Sequence, residues 1–284
     1  MTKLINANTF ETQAGCIIDF SVACKYKGRK PKLVILVASD DKASEIYVNN
    51  KVKMGAKYNI DVEVIKYAKE CKNNDIIKRI SLLNVDKDVD GIMLQLPVYE
   101  HLNPERLINA INPNKDVDGL TMESKALLEC NKAKFIPCTP EGVMSLLQIE
   151  GVVIEGKKVV VVGKGETAGA PMATIFRNHN ATVTICHVKT PREDLEFYVR
   201  HADIVISCVG KMNVIEADWF KEGSIAIGVG FTYDENGKQQ LDFDVDKVVE
   251  IGKAAMVSQR TNCTGKATVV SLMCNVVCAY LSNM

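Results

Sequence analysis

Residues 157–190 read KKVVVVGKGETAGAPMATIFRNHNATVTICHVKT, and this pattern decides the fold of the second half of the chain. A valine run ends at Gly163. A short loop holding Gly165 and Gly169 then leads into an apolar helical pattern, and residues 181–186 read as a second strand. Strand, glycine turn, helix, strand is the order of a dinucleotide-binding βαβ unit. Gly163 and Gly165 allow the backbone to turn tightly and approach a pyrophosphate, while the N–H groups at the helix start face its charge. The spacing is G-x-G-x-x-x-G rather than the commoner G-x-G-x-x-G. On pattern alone, the same residues also fit an ordinary α/β connection whose glycines serve turn geometry.

Strand and helix patterns alternate on both sides of this stretch. Residues 32–38 form a short apolar run, 42–58 carry helical periodicity, and 60–65 alternate like a strand. Residues 74–83 are helical again and 91–96 predict a third strand. Further strands are expected at 204–208, 224–229 and 254–257, and an apolar helix at 267–281. Such alternation implies an α/β fold, with parallel sheets covered by helices. Residues 137–140 break the pattern with two prolines, and 141–149 read as a helix linking two domains. The expected division is a first domain over 1–145, joined by the C-terminal helix 267–284, and a dinucleotide-binding domain over 146–266. A length of 284 residues suits two domains.

Composition excludes several function classes. Lys and Arg total 35 and balance 35 Asp and Glu, so no polyanion-binding surface is expected and nucleic acid is not a partner. No run of 18 apolar residues occurs, and the start MTKLINANTF lacks a signal-peptide pattern, so the expectation is a cytoplasmic protein without a membrane partner. The ten cysteines include no C-x-x-C pair and read as reduced thiols. Cys186-His187 alone falls short of the three or four ligands a metal site needs, so no metal is expected.

Three constellations can carry chemistry. Tyr47 and Lys51 are four residues apart on one predicted helix and share a face, with Ser44 about one turn earlier. A lysine partly removed from water beside a phenol can have a lowered pKa and act as acid or base, although such pairs also occur on ordinary amphipathic helices. Gln95 ends a predicted strand, at the carboxyl edge where α/β proteins bind ligands. Asp116-Val117-Asp118-Gly119 is a compact acidic turn, whose carboxylates either bind a ligand or cap the turn itself.

Read together, these segments resemble a known family. YVNNK at 47–51, QLPVYEHL at 95–102, KDVDGL at 115–120, PCTPEGVMSLL at 137–147, ATVTICHVKT at 181–190 and ADIVISCVG at 202–210 follow the order of the bifunctional methylenetetrahydrofolate dehydrogenase/cyclohydrolases, the FolD family. The resemblance covers nearly the whole chain. It implies a two-domain α/β protein, usually a homodimer, with the pterin of a tetrahydrofolate derivative in a cleft between a folate/catalytic domain and a Rossmann-type domain. It implies that Lys51, Tyr47 and Gln95 are catalytic, and that Tyr47, Gln95 and Asp118 hold substrate. It also implies that Gly163, Lys164, Gly165, Val188 and Phe231 line the cofactor site. The implied reaction is oxidation of 5,10-methylenetetrahydrofolate, then hydrolysis of the methenyl product to 10-formyltetrahydrofolate.

The departures from the family lie on the nucleotide side. The family's G-R-S at the glycine turn is Gly163-Lys164-Gly165 here, its serine after Cys-His is Val188, and the aspartate of its V-I-D-V-G strand is Gly228. Its T-P-V-P-G-G-V-G-P-M-T loop, which lies near pterin and nicotinamide, is replaced over residues 258–268. Residues 186–192, at the end of the second strand of the βαβ unit, hold no carboxylate, which favours NADP over NAD, with NAD still possible. Lys164, Lys189 and Arg192 supply nearby positive charge, although lysine lacks arginine's bidentate fork. The alternatives are a cyclohydrolase with weak or lost dehydrogenase activity, a non-catalytic folate- or nucleotide-binding protein, and an unrelated nicotinamide dehydrogenase.

Overall fold

The computed structural model describes residues 2–24 and 28–282. The chain forms two compact units, one of Thr12–Cys138 with Val269–Met284 and the other of Met1–Glu11 with Thr139–Thr268. In chain order the elements begin with β1 (Lys3–Ile5), α1 (Asn8–Cys24), β2 (Lys32–Val37), α2 (Lys42–Lys57), β3 (Asp61–Lys66), α3 (Asn73–Val85) and β4 (Gly91–Gln95). Next come α4 (Pro104–Ile108), α5 (Met122–Glu129), α6 (Cys138–Ile149), β5 (Lys158–Val162), α7 (Gly169–Asn178), β6 (Thr182–Cys186) and α8 (Arg192–His201). The rest are β7 (Ile204–Ser207), a short 3-10 turn (Ala217–Trp219), β8 (Ile225–Gly228), β9 (Phe231–Tyr233), β10 (Gln239–Leu241), α9 (Val245–Ile251), β11 (Met256–Ser258) and α10 (Thr264–Ser282).

The first unit is built on a three-stranded parallel sheet, β3-β2-β4. β2 reads as continuous apolar sequence because both its faces are covered. Leu33, Ile35 and Val37 enter a core with Met273 and Val276 of α10. Val34 and Leu36 enter the opposite core with Ile76 and Ile80 of α3 and with Leu107. α10 presents Val269, Leu272, Met273, Val276 and Val277 to the first core, a spacing that makes one apolar stripe. This helix is long and apolar enough to cross a bilayer, but 67% of its most apolar stretch is buried within the protein, as in a core helix.

The second unit holds a six-stranded sheet in the order β1-β11-β8-β7-β5-β6, parallel throughout. From β5 the chain goes to β6 on one side and β7 on the other, so the strand order reverses at β5/β7. Ligands of open α/β sheets bind outside the carboxyl ends at such a point. Two features depart from the sequence-based expectation. Residues 3–5, expected in the first domain, form an edge strand of this sheet, with Lys3 opposite Met256. Three residues are too few to show a period. α6 begins at Cys138 and holds Pro140 in its first turn, where a missing N–H costs no helical bond.

Candidate active site

Lys51 is brought inside by the way α2 is started and pressed down. Asp41 caps the helix by accepting the Ser44 N–H at 2.7 Å, a contact worth about 1 kcal/mol. The buried stripe is Ser44, Val48, Lys51 and Gly55. A Cβ at Gly55 would lie 2.3 Å from a Val62 methyl, so only glycine lets α2 sit this close to β3. Lys51 Nζ donates to Gln95 Oε1 at 2.7 Å. Gln95 Nε2 in turn donates to the Leu96 carbonyl at 2.7 Å, which fixes which end of the amide faces the lysine. Ser44 Oγ donates to the same carbonyl at 3.1 Å. Gln95 is the last residue of β4, opposite Val37, and the Leu96-Pro97 peptide that follows is cis. Tyr47 is half-buried, one turn before Lys51.

The acidic turn divides its two carboxylates between different tasks. Asp116 is buried and accepts from Leu120 N at 3.2 Å, Thr121 N at 2.8 Å and Ser124 Oγ at 2.7 Å. It is the residue that caps the turn. Asp118 keeps a partial opening to solvent although neighbouring atoms enclose its carboxyl group closely. Burial raises its pKa, against the pull of the Lys51 charge. Burial likewise lowers the pKa of Lys51, against the attraction of Asp118. Burial thus disfavours the charged form of both the amine and the carboxyl, while their mutual attraction opposes that shift.

Two residues not singled out by sequence complete this cluster. Cys138 is buried beside Asp118 and Lys51, and burial pushes its thiol well above the usual range, so it is a neutral donor. Its Sγ donates to Val117 O at 3.3 Å. Asn275 of α10 donates to Val117 O at 2.9 Å and Ile136 O at 3.0 Å. Gly119, at φ +69°, has no room for a Cβ against Pro137 N at 2.9 Å. The turn carrying Asp118 is therefore fixed to the 136–138 segment and to α10.

In the second unit the glycine turn is made by Gly163 and Gly169. Gly163 has φ +110°, and a Cβ there would lie 2.8 Å from Cys208 O. A Cβ at Gly169 would lie 2.1 Å from Gly163 O. Gly165 meets nothing within 4 Å, so the protein's own packing does not demand glycine there. Open space above the turn and a start of α7 without a side-chain cap together fit an approaching diphosphate. Lys164 is exposed, and Val188 is 91% exposed at the turn after β6. Arg192, a candidate phosphate partner by sequence, is already engaged: it pairs with Glu216 at 2.6 Å and lies over the Trp219 ring at 4.8 Å. Phe231 is half-buried against the core of the unit, edge-on to Tyr233 at 5.9 Å.

The segment that departs most from the family is firmly held. Arg260 pairs with Asp246 at 2.8 Å and Asp244 at 3.2 Å, and its Nε donates to Gln240 Oε1 at 3.2 Å. Ser258 Oγ accepts Gly228 N at 2.8 Å, and Thr264 Oγ1 donates to Gly228 O at 3.0 Å. A Cβ at Gly228 would lie 2.6 Å from Leu241 Cδ1, so Leu241 fills the space that the family aspartate would enter.

Comparisons with known proteins identify the family of the chain. The sequence profile for the tetrahydrofolate dehydrogenase/cyclohydrolase catalytic domain matches residues 7–118, and that for the NAD(P)-binding domain of the same family matches residues 137–284. The chain belongs to the tetrahydrofolate dehydrogenase/cyclohydrolase family. It is 36% identical to the bifunctional FolD protein of Agathobacter rectalis over 98% of each chain. It is also 36% identical to the FolD protein of Albidiferax ferrireducens over 90% of this chain and 88% of the other. The crystal structure of FolD from Campylobacter jejuni superposes with a TM-score of 0.95 at 31% identity, covering 100% of both chains. That of the Trypanosoma brucei enzyme, complexed with NADP and an inhibitor, gives 0.92 at 29% identity over 98% of this chain and 97% of that one. The protein is thus a bifunctional dehydrogenase/cyclohydrolase acting on tetrahydrofolate, with a catalytic domain and an NAD(P)-binding domain.

Proposed function

We propose that Lys51 is the acid/base of the hydrolytic step, that Gln95 and Tyr47 hold it, and that Asp118 orients the folate. The observation that carries this is the buried Lys51–Gln95 hydrogen bond of 2.7 Å facing Asp118. Oxidation of 5,10-methylenetetrahydrofolate needs no protein base, because the two amine nitrogens flanking the methylene expel the hydride. The nicotinamide ring, when bound, accepts that hydride. Hydrolysis of the methenyl cation does need proton transfer. Neutral Lys51 takes a proton from water as its oxygen bonds to the methenyl carbon. The resulting ammonium returns that proton to the ring nitrogen as the carbon–nitrogen bond breaks, while the hydroxyl proton of the intermediate passes to solvent, leaving 10-formyltetrahydrofolate and one released proton. Asp118 accepts N–H donors from the amide edge of the pterin.

Gly163, Lys164 and Gly165 would hold the diphosphate, and Val188 and Phe231 would border the rest of the nucleotide. NADP is the favoured cofactor, supported by exposed Lys164 and Lys189 and by the absence of a carboxylate at residues 186–192. A homodimer formed through the second unit is supported by edge strand β6, where Ile185 is 45% exposed, and by nearby Phe197, 57% exposed. A cytoplasmic setting agrees with the free thiols among the described residues.

A pair of absorbance assays tests the reading, one following NAD(P)H formation and one following loss of methenyltetrahydrofolate. Both signals are expected. Loss without NAD(P)H formation would instead support a cyclohydrolase alone, the alternative raised by the replaced 258–268 segment. Neither signal would refute the enzyme assignment of these residues.

A further inference from the structure

We propose that Asp242 is a positioning residue for the nicotinamide nucleotide, holding the loop beyond β7 as one wall of the cofactor site. The inference rests on the reading of the second unit as the nucleotide site. Asp242 is fully buried, one residue past the end of β10. Its Oδ2 accepts Ser207 Oγ at 2.5 Å and Val209 N at 2.8 Å, and its Oδ1 accepts Gly210 N at 2.7 Å and Lys211 N at 2.8 Å. Its backbone carbonyl accepts Val214 N at 2.9 Å and Ile215 N at 3.2 Å. Residues 207–211 therefore bend around a single side chain, and 214–215 are held by the backbone of the same residue. Only an acceptor-only carboxylate satisfies this many donors at once.

The loop is coupled to the glycine turn without slack. Cys208 N donates to Val162 O at 2.7 Å, and Gly163 can be nothing larger because Cys208 O lies 2.8 Å from where its Cβ would be. On the other side, a Cβ at Gly230 would meet Gly210 N at 2.3 Å and Asp242 Oδ2 at 2.7 Å. The carboxylate thus holds the end of β7 and its loop, which meets β5 through Cys208 and the residues after β8 through Gly230, at the point where strand order reverses. Consecutive inward-turned amides form an anion-binding nest, and here the protein fills it with its own carboxylate. Those amides are withdrawn from the ligand, which leaves the diphosphate to the turn at 163–169.

Asp242→Asn has one acceptor oxygen where the carboxylate has two, so its NH2 group must face backbone donors and the loop must shift. Calorimetric titration of the full-length chain with NADP, beside both activity assays and a melting curve, tests the role. The expected result is a Kd and a KM for NADP raised by at least about tenfold, with methenyltetrahydrofolate hydrolysis within about twofold of wild type. Ser207→Ala removes one contact only and should raise the Kd for NADP by a few fold, which keeps the test readable if the Asn variant does not fold. Unchanged NADP affinity in a folded Asp242→Asn, or equal loss of both activities with a lowered melting temperature, overturns the proposal. Wild-type protein that binds neither NADP nor NAD would overturn the cofactor reading, and this one with it.

Discussion

Lys51, the proposed acid/base, shows how burial changes an ordinary side chain. Removed from water, its amine is held below the usual lysine value of 10.5, with Asp118 opposing that shift. If neutral Lys51 takes the proton from water, the rate of hydrolysis should climb with pH and level off at a pH below 10.5. A pH–rate profile that fell from pH 6 to 9 would reverse the assignment. Lys51→Met should slow hydrolysis by about 10²–10⁴-fold, measured as methenyltetrahydrofolate loss, with the fold intact by circular dichroism. The two aspartates of the acidic turn should separate cleanly. Asp118→Ala is expected to weaken folate binding by about 1.5–3 kcal/mol with little change in melting temperature. Asp116→Ala removes the acceptor for two backbone amides and a hydroxyl, and should chiefly lower stability. Calorimetric folate titrations of both variants, with melting curves, would show the opposite assignment if it held.

At the scale of elements, the first unit has a buried carboxylate paired with a partly exposed arginine at the foot of its sheet. Asp90, fully buried, accepts both Arg29 terminal nitrogens, at 2.7 and 2.9 Å, and Lys32 N at 2.9 Å. Arg29 also lies over the Tyr280 ring at 5.3 Å, and its carbonyl accepts the Tyr280 hydroxyl at 3.1 Å. One residue thus ties β2, β4 and α10. Arg29→Met leaves a buried carboxylate without its partner and should cost about 3–5 kcal/mol in urea unfolding. Hydrolysis by the folded fraction should survive, since Lys51 and Gln95 lie elsewhere on the sheet. An unfolding free energy unchanged by the substitution would mean that Asp90 finds its charge partner elsewhere.

For the whole molecule, the proposed dimer rests on edge strand β6 of the second unit and its exposed Ile185. Light scattering at micromolar concentration should give the mass of a dimer. Lys replacing Ile185 should shift that mass toward the monomer, because a charge facing its own copy across a two-fold axis repels it. A monomer mass for the wild-type chain would refute the dimer.

Much of this was legible in the residue pattern because it is local. Buried strands such as KLVILV, the helical spacing of Tyr47 and Lys51, the glycine turn after β5 and the apolar period of α10 all express backbone geometry over a few residues. Six ordered segments of that kind were enough to indicate the family. Pairings across long separations were not legible. Nothing near residue 275 announces that its amide will secure a turn 158 positions away. Nothing in the 239–242 strand shows that Leu241 fills the space beside a bare Gly228, or that Asp242 will gather the amides of 209–211. The acidic turn's own residues left open which aspartate caps it, since two aspartates of one turn can do either; only the family resemblance pointed to Asp118 as the substrate-holding one. Sequence offered Arg192 as nearby positive charge, and did not show that Glu216 pairs with it. Periodicity records which face of an element is buried. What meets that face, and so which charges lose their water, is settled only when distant segments are packed together.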